Sequence, residues 1–376
     1  MLVKIILGLW SFAGLFWWVL SWRLVVRAPH SVSPVVPQKP RESLTVFKPL
    51  PPLEGEGLKI EARGLESFIS QLDGASELLL GVHEDDWRDV APFVEQMRAA
   101  YPAANIVVVR RTDIDTMANP KVAWQKLLAP QAKGNLWLWS DADIVAPSGF
   151  LDRARDEFEG AGTGMVTFPY AIRTLPHPSA LLDALFVNAE FYPGVLFLQR
   201  LGPVDFGLGA AMLFSREAFL EKVDWTRLGT ALADDFILGQ ALQPVRLGSI
   251  TLETVADAKD WSTALAHYLR WKKTVCWCRP GGFAGQIIAM PLFGWIGLVA
   301  WHPAHGWLWM GLIGMMQVDV FFAVIICRIA GCPLPARSWV VIELWSLGRI
   351  FFWLLSWLPV PVVWRDRLWV EAHRSP

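Results

Sequence analysis

Apolar positions along this chain follow two patterns. Toward both ends they form long runs with few charges; between them they come in short clusters set apart by polar segments. Ile5–Trp22 runs eighteen residues without a charge and is followed by Arg23 and Arg27. That is close to the roughly 20 residues needed to cross a hydrocarbon core. A cleaved signal peptide is the competing reading, but no small-x-small site follows the run and arginines come after it. Past residue 280, Phe283–Trp301, Gly306–Cys327 and Ser338–Trp364 are further runs. Only Asp319, Arg328, Arg337, Glu343 and Arg349 carry charge between Phe283 and Val363.

The middle reads differently. A proline-rich stretch, His30–Pro40, precedes it. Short apolar clusters at Thr45–Leu50, Glu77–Val82, Asn105–Val109, Leu136–Trp139, Met165–Phe168 and Ala210–Phe214 predict strands. Leu65, Phe68, Ile69 and Leu72, then Val90, Val94 and Met97, then Lys121–Leu128, predict helices between them. Continuous apolar strands alternating with helices predict an α/β fold with a mainly parallel sheet covered on both faces. Ligands of such sheets bind beyond the carboxyl ends of the strands.

Composition supports the division. Apolar residues make up 53% of the 376, charged residues only 18%, and mean hydropathy is +0.34. Seventeen of the 22 Trp lie within Met1–Arg27 or Trp261–Pro376, and Trp favours membrane interfaces. The net charge of −1 excludes a basic nucleic-acid-binding surface. Four cysteines exclude a disulfide scaffold, and Cys276-Trp277-Cys278 has no second pair with which to hold a metal. Lys4 precedes the first run while Arg23, Arg27, Lys39 and Arg41 follow it, which puts the amino terminus outside and the middle domain in the cytoplasm. His302–His305 without Lys or Arg, and Arg328 with Arg337, agree. For the tail two cues disagree: counting crossings puts it outside, whereas Arg365, Arg367 and Arg374 favour the inside. Pro359 and Pro361 suggest a broken or partly interfacial last segment. Asp319, Glu343 and Arg349 are expected to face other helices or headgroups rather than lipid.

Four features carry candidate chemistry. His83-Glu84-Asp85-Asp86 and Asp141-Ala142-Asp143 each follow a predicted strand directly. Asp234-Asp235 opens a helical stretch, and His267-Tyr268-Leu269-Arg270-Trp271 comes just before the later membrane runs. Two carboxylates one residue apart on an extended turn suit Mg²⁺ or Mn²⁺ held together with a diphosphate. Each feature alone has a plain structural reading, as a solvated turn, a helix cap or an interfacial Arg and Trp.

In this order, however, the features resemble membrane-anchored, inverting GT-A glycosyltransferases of the ceramide glucosyltransferase type, and among them the bacterial hopanoid-biosynthesis-associated branch. The resemblance spans roughly Thr45–Gly285. It is carried by Phe47-Lys48-Pro49-Leu50, Asp85-Asp86, Asn119-Pro120-Lys121-Val122, Ser140-Asp141-Ala142-Asp143, Gly209-Ala210-Ala211-Met212, Ala233-Asp234-Asp235-Phe236 with Leu238-Gly239, and Leu269-Arg270-Trp271. It implies that Asp85 or Asp86 contacts the uridine end of a UDP-sugar and that Lys121 lies near the nucleotide or diphosphate. Asp141 and Asp143 would hold the divalent ion, and Asp235 would be the general base with Asp234 beside it. Arg270 and Trp271 would meet the leaving diphosphate and the acceptor. Two departures stand out: Trp87 replaces the usual proline after the first acidic pair, and His267 stands where relatives open the Gln-x-x-Arg-Trp motif with Gln or Arg.

The physical logic agrees with these roles. A diphosphate leaves only if its growing charge is stabilised, and an acceptor hydroxyl needs a carboxylate to take its proton. One displacement then inverts the anomeric centre. Apolar runs at both ends imply a lipid acceptor. The apolar stretch Pro178–Leu201, with Phe191 and Tyr192, suits an acceptor pocket or a buried core helix, and Tyr268–Arg279 has the Trp, Lys and Arg mixture of an interfacial helix; His267, Phe191 and Tyr192 are the acceptor candidates. The expected organisation is a transmembrane helix at 1–27, a linker at 28–43, a cytoplasmic GT-A catalytic domain at 44–258, an interfacial helix at 259–282, transmembrane helices at 283–364 and a tail at 365–376. The expected function is transfer of one sugar, glucose or N-acetylglucosamine, from UDP to a ceramide- or hopanoid-like lipid. The alternatives are a processive polysaccharide synthase, for which three late segments are few, and a non-catalytic receptor, which has no need of Asp235.

Overall fold

The computed structural model describes residues 2–28, 41–53, 58–114, 117–159, 162, 164–173, 175, 177–254, 256, 260–364 and 367–370. The proline-rich linker, Arg365 and the end of the tail with Arg374 lie outside them. The chain divides into two compact units, one of residues 29–170 and 198–255, the other of residues 1–28, 171–197 and 256–374.

The first unit is built on a seven-stranded sheet: β1 (Leu44–Pro49), β2 (Ser76–His83), β3 (Asn105–Arg111), β4 (Leu136–Ser140), β5 (Met165–Thr167), β6 (Ala211–Ser215) and β7 (Val245–Leu247). Their order is β3-β2-β1-β4-β6-β5-β7. β1 runs parallel to both β2 and β4, and β2 to β3, so three apolar runs end at one edge. β6 is antiparallel to β4 and to β5, while β5 and β7 are parallel. The expected mainly parallel α/β sheet is therefore observed, with β6 as its one reversed strand. β1 and β4 are buried along their whole length, as strands covered on both faces must be.

Alternation along β4 sorts its side chains. Leu136 and Leu138 join the aliphatic core with Val46, Leu78, Leu80 and Phe68. Trp137 and Trp139 enter an aromatic cluster with Phe47, Phe214 and Phe219, and Trp225 stacks on Trp139 at 5.8 Å. Of the five tryptophans in the middle of the chain, Trp124, Trp137 and Trp139 are buried in the core.

The second unit is helical. Among the described residues, Lys4–Arg27, Ala180–Leu201, Gly306–Ile329 and Ala336–Ser356 are long and apolar enough to cross a membrane, and Pro280–Ala289 with Pro291–Trp301 makes a bent pair at 65°. The bend falls at Pro291, which has no N–H to continue the ladder. The last expected segment ends as a helix at Ser356; Pro359 and Pro361 follow, then a small hairpin, Val362–Trp364 with Arg367–Trp369. Asp319 is wholly buried and fully partnered: Trp18 Nε1 (2.6 Å), Ser346 Oγ (2.6 Å) and Arg349 Nη2 (2.8 Å) donate to it. Glu343 accepts from Gln317 and Trp339. Asp319, Glu343 and Arg349 thus face other helices.

Helix Trp261–Cys278 buries two of its lysines. Lys272 and Lys273 are each 1% exposed. Lys272 bonds to Glu190, and Lys273 Nζ donates to the carbonyls of Ser356 (3.4 Å) and Leu358 (2.6 Å), at the end of helix Trp339–Ser356. These lysines serve helix packing and a C-terminal cap.

Candidate active site

The acidic turn Asp141–Asp143 leaves β4 at the sheet edge shared by β1 and β2. Three devices hold it. Ser140 Oγ donates to the Ala210 carbonyl at 2.7 Å, tying the end of β4 to the start of β6. Helix Lys59–Ile69 presses on the turn so closely that a Cβ on Gly64 would stand 2.2 Å from the Ala142 carbonyl oxygen, so only glycine fits. Beneath the turn lies Lys48, 0% exposed, whose ammonium donates to Ser140 Oγ (3.0 Å) and to the Asp141 carbonyl (2.6 Å) and sits 3.8 Å from the Phe68 ring centre. Burial pushes the Lys48 pKa down to about 7, against the pull of Asp143 and Asp141.

Asp143 Oδ2 accepts from Thr254 Oγ1 at 2.8 Å. Thr254 ends the short strand Leu252–Thr254, which pairs with Ile144–Val145 directly after the turn. Burial, followed by the charge of Asp141, raises the Asp143 pKa.

Lys121 approaches from helix Pro120–Leu128. Asn119 caps that helix, its Oδ1 accepting from the N–H groups of Lys121 (3.0 Å) and Val122 (3.3 Å), with Pro120 in the first turn. The Asn119 amide donates to Asp234 Oδ1 at 3.2 Å, so the cap also positions the second acidic pair. Lys121 Nζ lies 2.6 Å from Asp141 Oδ1 and 3.6 Å from Asp234 Oδ2. Burial works against its charge, but Asp141 and Asp234 more than offset this and raise its pKa.

Asp235 stands in the first turn of helix Asp234–Ala241. Its carboxylate accepts from the N–H of Gly209 (3.0 Å) and of Phe236 (2.8 Å). Burial and then the charge of Asp234 push its pKa up to about 6. Gly209 marks the centre of the group. A Cβ there would stand 3.4 Å from Asp141 Oδ2, 3.4 Å from Lys121 Nζ and 3.6 Å from Asp235 Oδ2.

The structure therefore brings Lys121, Asp141, Asp234 and Asp235 together, with Asp143 on the same turn. Asp85 and Asp86 lie in the single turn Glu84–Asp86 after β2, at the same sheet edge. β2 and β4 are separated by β1, which puts these acids about 10 Å from the β4 turn. Asp85 has an 82% exposed side chain beside His83, and Asp86 accepts from the Leu53 N–H at 3.4 Å. Among the described residues no hydrogen bond or ion pair links either to the Lys121 cluster. Arg270, Trp271, His267, Phe191 and Tyr192 belong to the helical unit. There the Trp271 ring packs against His267 and Phe186, Phe191 stacks on Phe186 at 6.1 Å, and Tyr192 is buried.

The sequence reading missed Lys48, Asn119 and Thr254 as positioning groups. Lys48 had a readable signal, a lone lysine inside an apolar strand, since lysine is buried only where partners await it. Asn119-Pro120 is likewise a legible helix start. Thr254 carried no signal, because its role depends on a pairing between strands far apart in sequence.

Among the described residues no group of three or more His, Cys, Asp or Glu side chains closes a metal cage. Two neighbouring carboxylates are a donor set that suits Mg²⁺ or Mn²⁺, which take few protein ligands and complete their shell with phosphate oxygens and water.

Comparison with known proteins agrees on the class of chain. Several solved structures are similar. The mannosyltransferase PcManGT from Pyrobaculum calidifontis in complex with GDP-Man and Mn²⁺ is 16% identical, with 95% of this chain and 99% of that one covered and a TM-score of 0.46. Glucosyl-3-phosphoglycerate synthase from M. tuberculosis is 17% identical over 63% of this chain and 80% of its own, with a TM-score of 0.36. Mannosyl-3-phosphoglycerate synthase from Rubrobacter xylanophilus is 14% identical over 62% and 73%, with a TM-score of 0.37. No curated protein sequence matches. Residues 7–371 match one family from end to end, and the chain belongs to glycosyl transferase family 21.

Proposed function

We propose that this glycosyltransferase moves a single sugar from UDP to the hydroxyl of a membrane lipid, with inversion, at the cytoplasmic face. The observation that carries the reading is the convergence on Gly209: a carboxylate of raised pKa, a second carboxylate and an ammonium surround one point. A general base near neutrality and a charge-stabilising cluster are what the reaction requires.

Asp235 takes the proton from the acceptor hydroxyl. The Gly209 and Phe236 N–H groups orient its carboxylate, and burial keeps its pKa close to working pH. Asp234, held by Asn119, keeps Lys121 beside the acids. Lys121 supplies positive charge where the diphosphate departs. Asp141 and Asp143 would hold Mg²⁺ or Mn²⁺, which when bound neutralises diphosphate charge. Asp85 or Asp86 serves the uridine end, and Arg270 with Trp271 the leaving group and acceptor, as the sequence resemblance implies. One base and no carboxylate nucleophile give an inverted, β-linked product from an α-linked donor.

A lipid acceptor is supported by the apolar helices at both ends and at Ala180–Leu201. With it go integral membrane residence and a cytoplasmic catalytic unit. A ceramide- or hopanoid-like lipid, and glucose or N-acetylglucosamine, follow from the resemblance; His267, Phe191 and Tyr192 are the acceptor-side candidates. The test is to incubate membranes containing the protein with labelled UDP-sugars and to analyse extracted lipids by mass spectrometry. One added hexose or N-acetylhexosamine per lipid supports the proposal. A polymer would favour a synthase, and UDP binding without turnover on any lipid would favour a receptor.

A further inference from the structure

The buried carboxylate of Asp183 has no part in the acid cluster. Helix Ala180–Ala184 continues into the π-helical turn Leu185–Phe191, a rare form that concentrates at functional sites. Along this stretch Asp183, Phe186 and Glu190 all meet helix Trp261–Cys278. Asp183 is 3% exposed, and its two oxygens lie 3.1 and 3.3 Å from His267 Nδ1. The His267 ring packs on Trp271 with centres 4.1 Å apart, and Phe186 stacks on the same indole at 5.0 Å and 25°. Glu190 accepts from the Tyr268 hydroxyl and from Lys272. The turn bearing Arg270 and Trp271 is thus bracketed by two acids of one facing helix.

We propose that Asp183 is a positioning residue for the Arg-Trp motif. It holds His267 by Nδ1, and His267 with Phe186 fixes the Trp271 indole and the turn that carries Arg270. The inference rests on the reading above, in which Arg270 and Trp271 face the substrates. It also accounts for His267 standing where Gln or Arg is usual. All three side chains offer an N–H to a carboxylate, so the position selects a donor rather than an imidazole.

The experiment uses the full chain in lipid nanodiscs, labelled with 5-fluorotryptophan, with the Trp271 ¹⁹F resonance identified by its loss in Trp271→Phe. Asp183→Asn and His267→Leu should each shift or broaden that resonance. Each should lower kcat for sugar transfer about tenfold, as expected for a displaced substrate-contacting group. His267→Gln, which keeps an N–H for Asp183, should restore the resonance. The other tryptophans report whether the fold survives; should Asp183→Asn disturb them all, His267→Leu against His267→Gln decides. An unmoved Trp271 resonance in a folded Asp183→Asn, or His267→Gln as damaging as His267→Leu, overturns the proposal. Absence of turnover in the wild type would sink the glycosyltransferase reading alone, because the resonance is read without catalysis.

Discussion

The Lys48 ammonium donates to the Asp141 carbonyl at 2.6 Å, from a position wholly inside the sheet edge. It therefore supports the backbone of the acidic turn rather than its carboxylates. Replacing it by Met removes the donor from Ser140 Oγ and from the carbonyls of Asp141 and Ile144 (3.4 Å). Each orphaned buried group costs about 1–3 kcal/mol. Lys48→Met should lower the unfolding midpoint and reduce kcat by at least about tenfold. Thermal unfolding and sugar-transfer assays on one preparation check both; full activity would show that the turn needs no support from below.

The raised pKa of Asp235 sets a pH dependence. As a base it works only when ionised, and it ionises through a pKa of about 6 in the free enzyme. kcat/KM should rise with pH through about 6 and level off above it. Asp235→Asn should abolish that limb and cost about 10²–10⁴ in rate. A flat profile between pH 5 and 7 would exclude Asp235 as the base.

Removing divalent ions should stop transfer, and Mg²⁺ or Mn²⁺ should restore it. Asp141→Asn and Asp143→Asn should each raise the Mn²⁺ concentration for half-maximal activity, while Asp85→Asn should raise the KM for UDP-sugar instead. Activity persisting in excess chelator would contradict the assignment of the Asp141–Asp143 turn.

Gly209→Ala offers a separate probe of the centre. A Cβ would meet Asp141, Lys121 and Asp235 at ordinary contact distances, so the fold should persist. The space at the convergence point would shrink, so transfer should fall while the unfolding midpoint holds. Unchanged kinetics would mean that the substrates do not use this space.

In the helical unit, Asp319→Ala leaves Arg349 buried without its carboxylate partner. Breaking one member of a buried pair typically costs about 3–5 kcal/mol. The unfolding midpoint in detergent should fall sharply, and the Asp319→Ala, Arg349→Ala double variant should lose less than the two single losses combined. Additive losses would mean that the pair is not coupled.

Much of this was legible in the chain. Strands covered on both faces read as unbroken apolar runs, which is why β1, β2 and β4 could be placed and why acids after them pointed to the shared edge. The reversal of β6 was not legible, because a strand buried on both faces has one pattern in either direction. The apolar ends were read from composition, but the bond of Lys272 to Glu190 was not, because the partners lie 82 positions apart. Asn119 escaped for a similar reason: its cap is local, whereas its hold on Asp234 spans 115 positions. Local periodicity reports elements; it does not report which polar side chain answers another across the fold.

The bond from Trp18 to Asp319 spans 301 positions. Ribosomes add about 5–20 residues per second, so the first helix exists for roughly 15–60 s before its acidic partner is made. During that interval the α/β unit is synthesised and can fold. The amino-terminal helix therefore waits through that interval without its acidic partner, and assembly of the helical unit closes last, around a charge that arrives late.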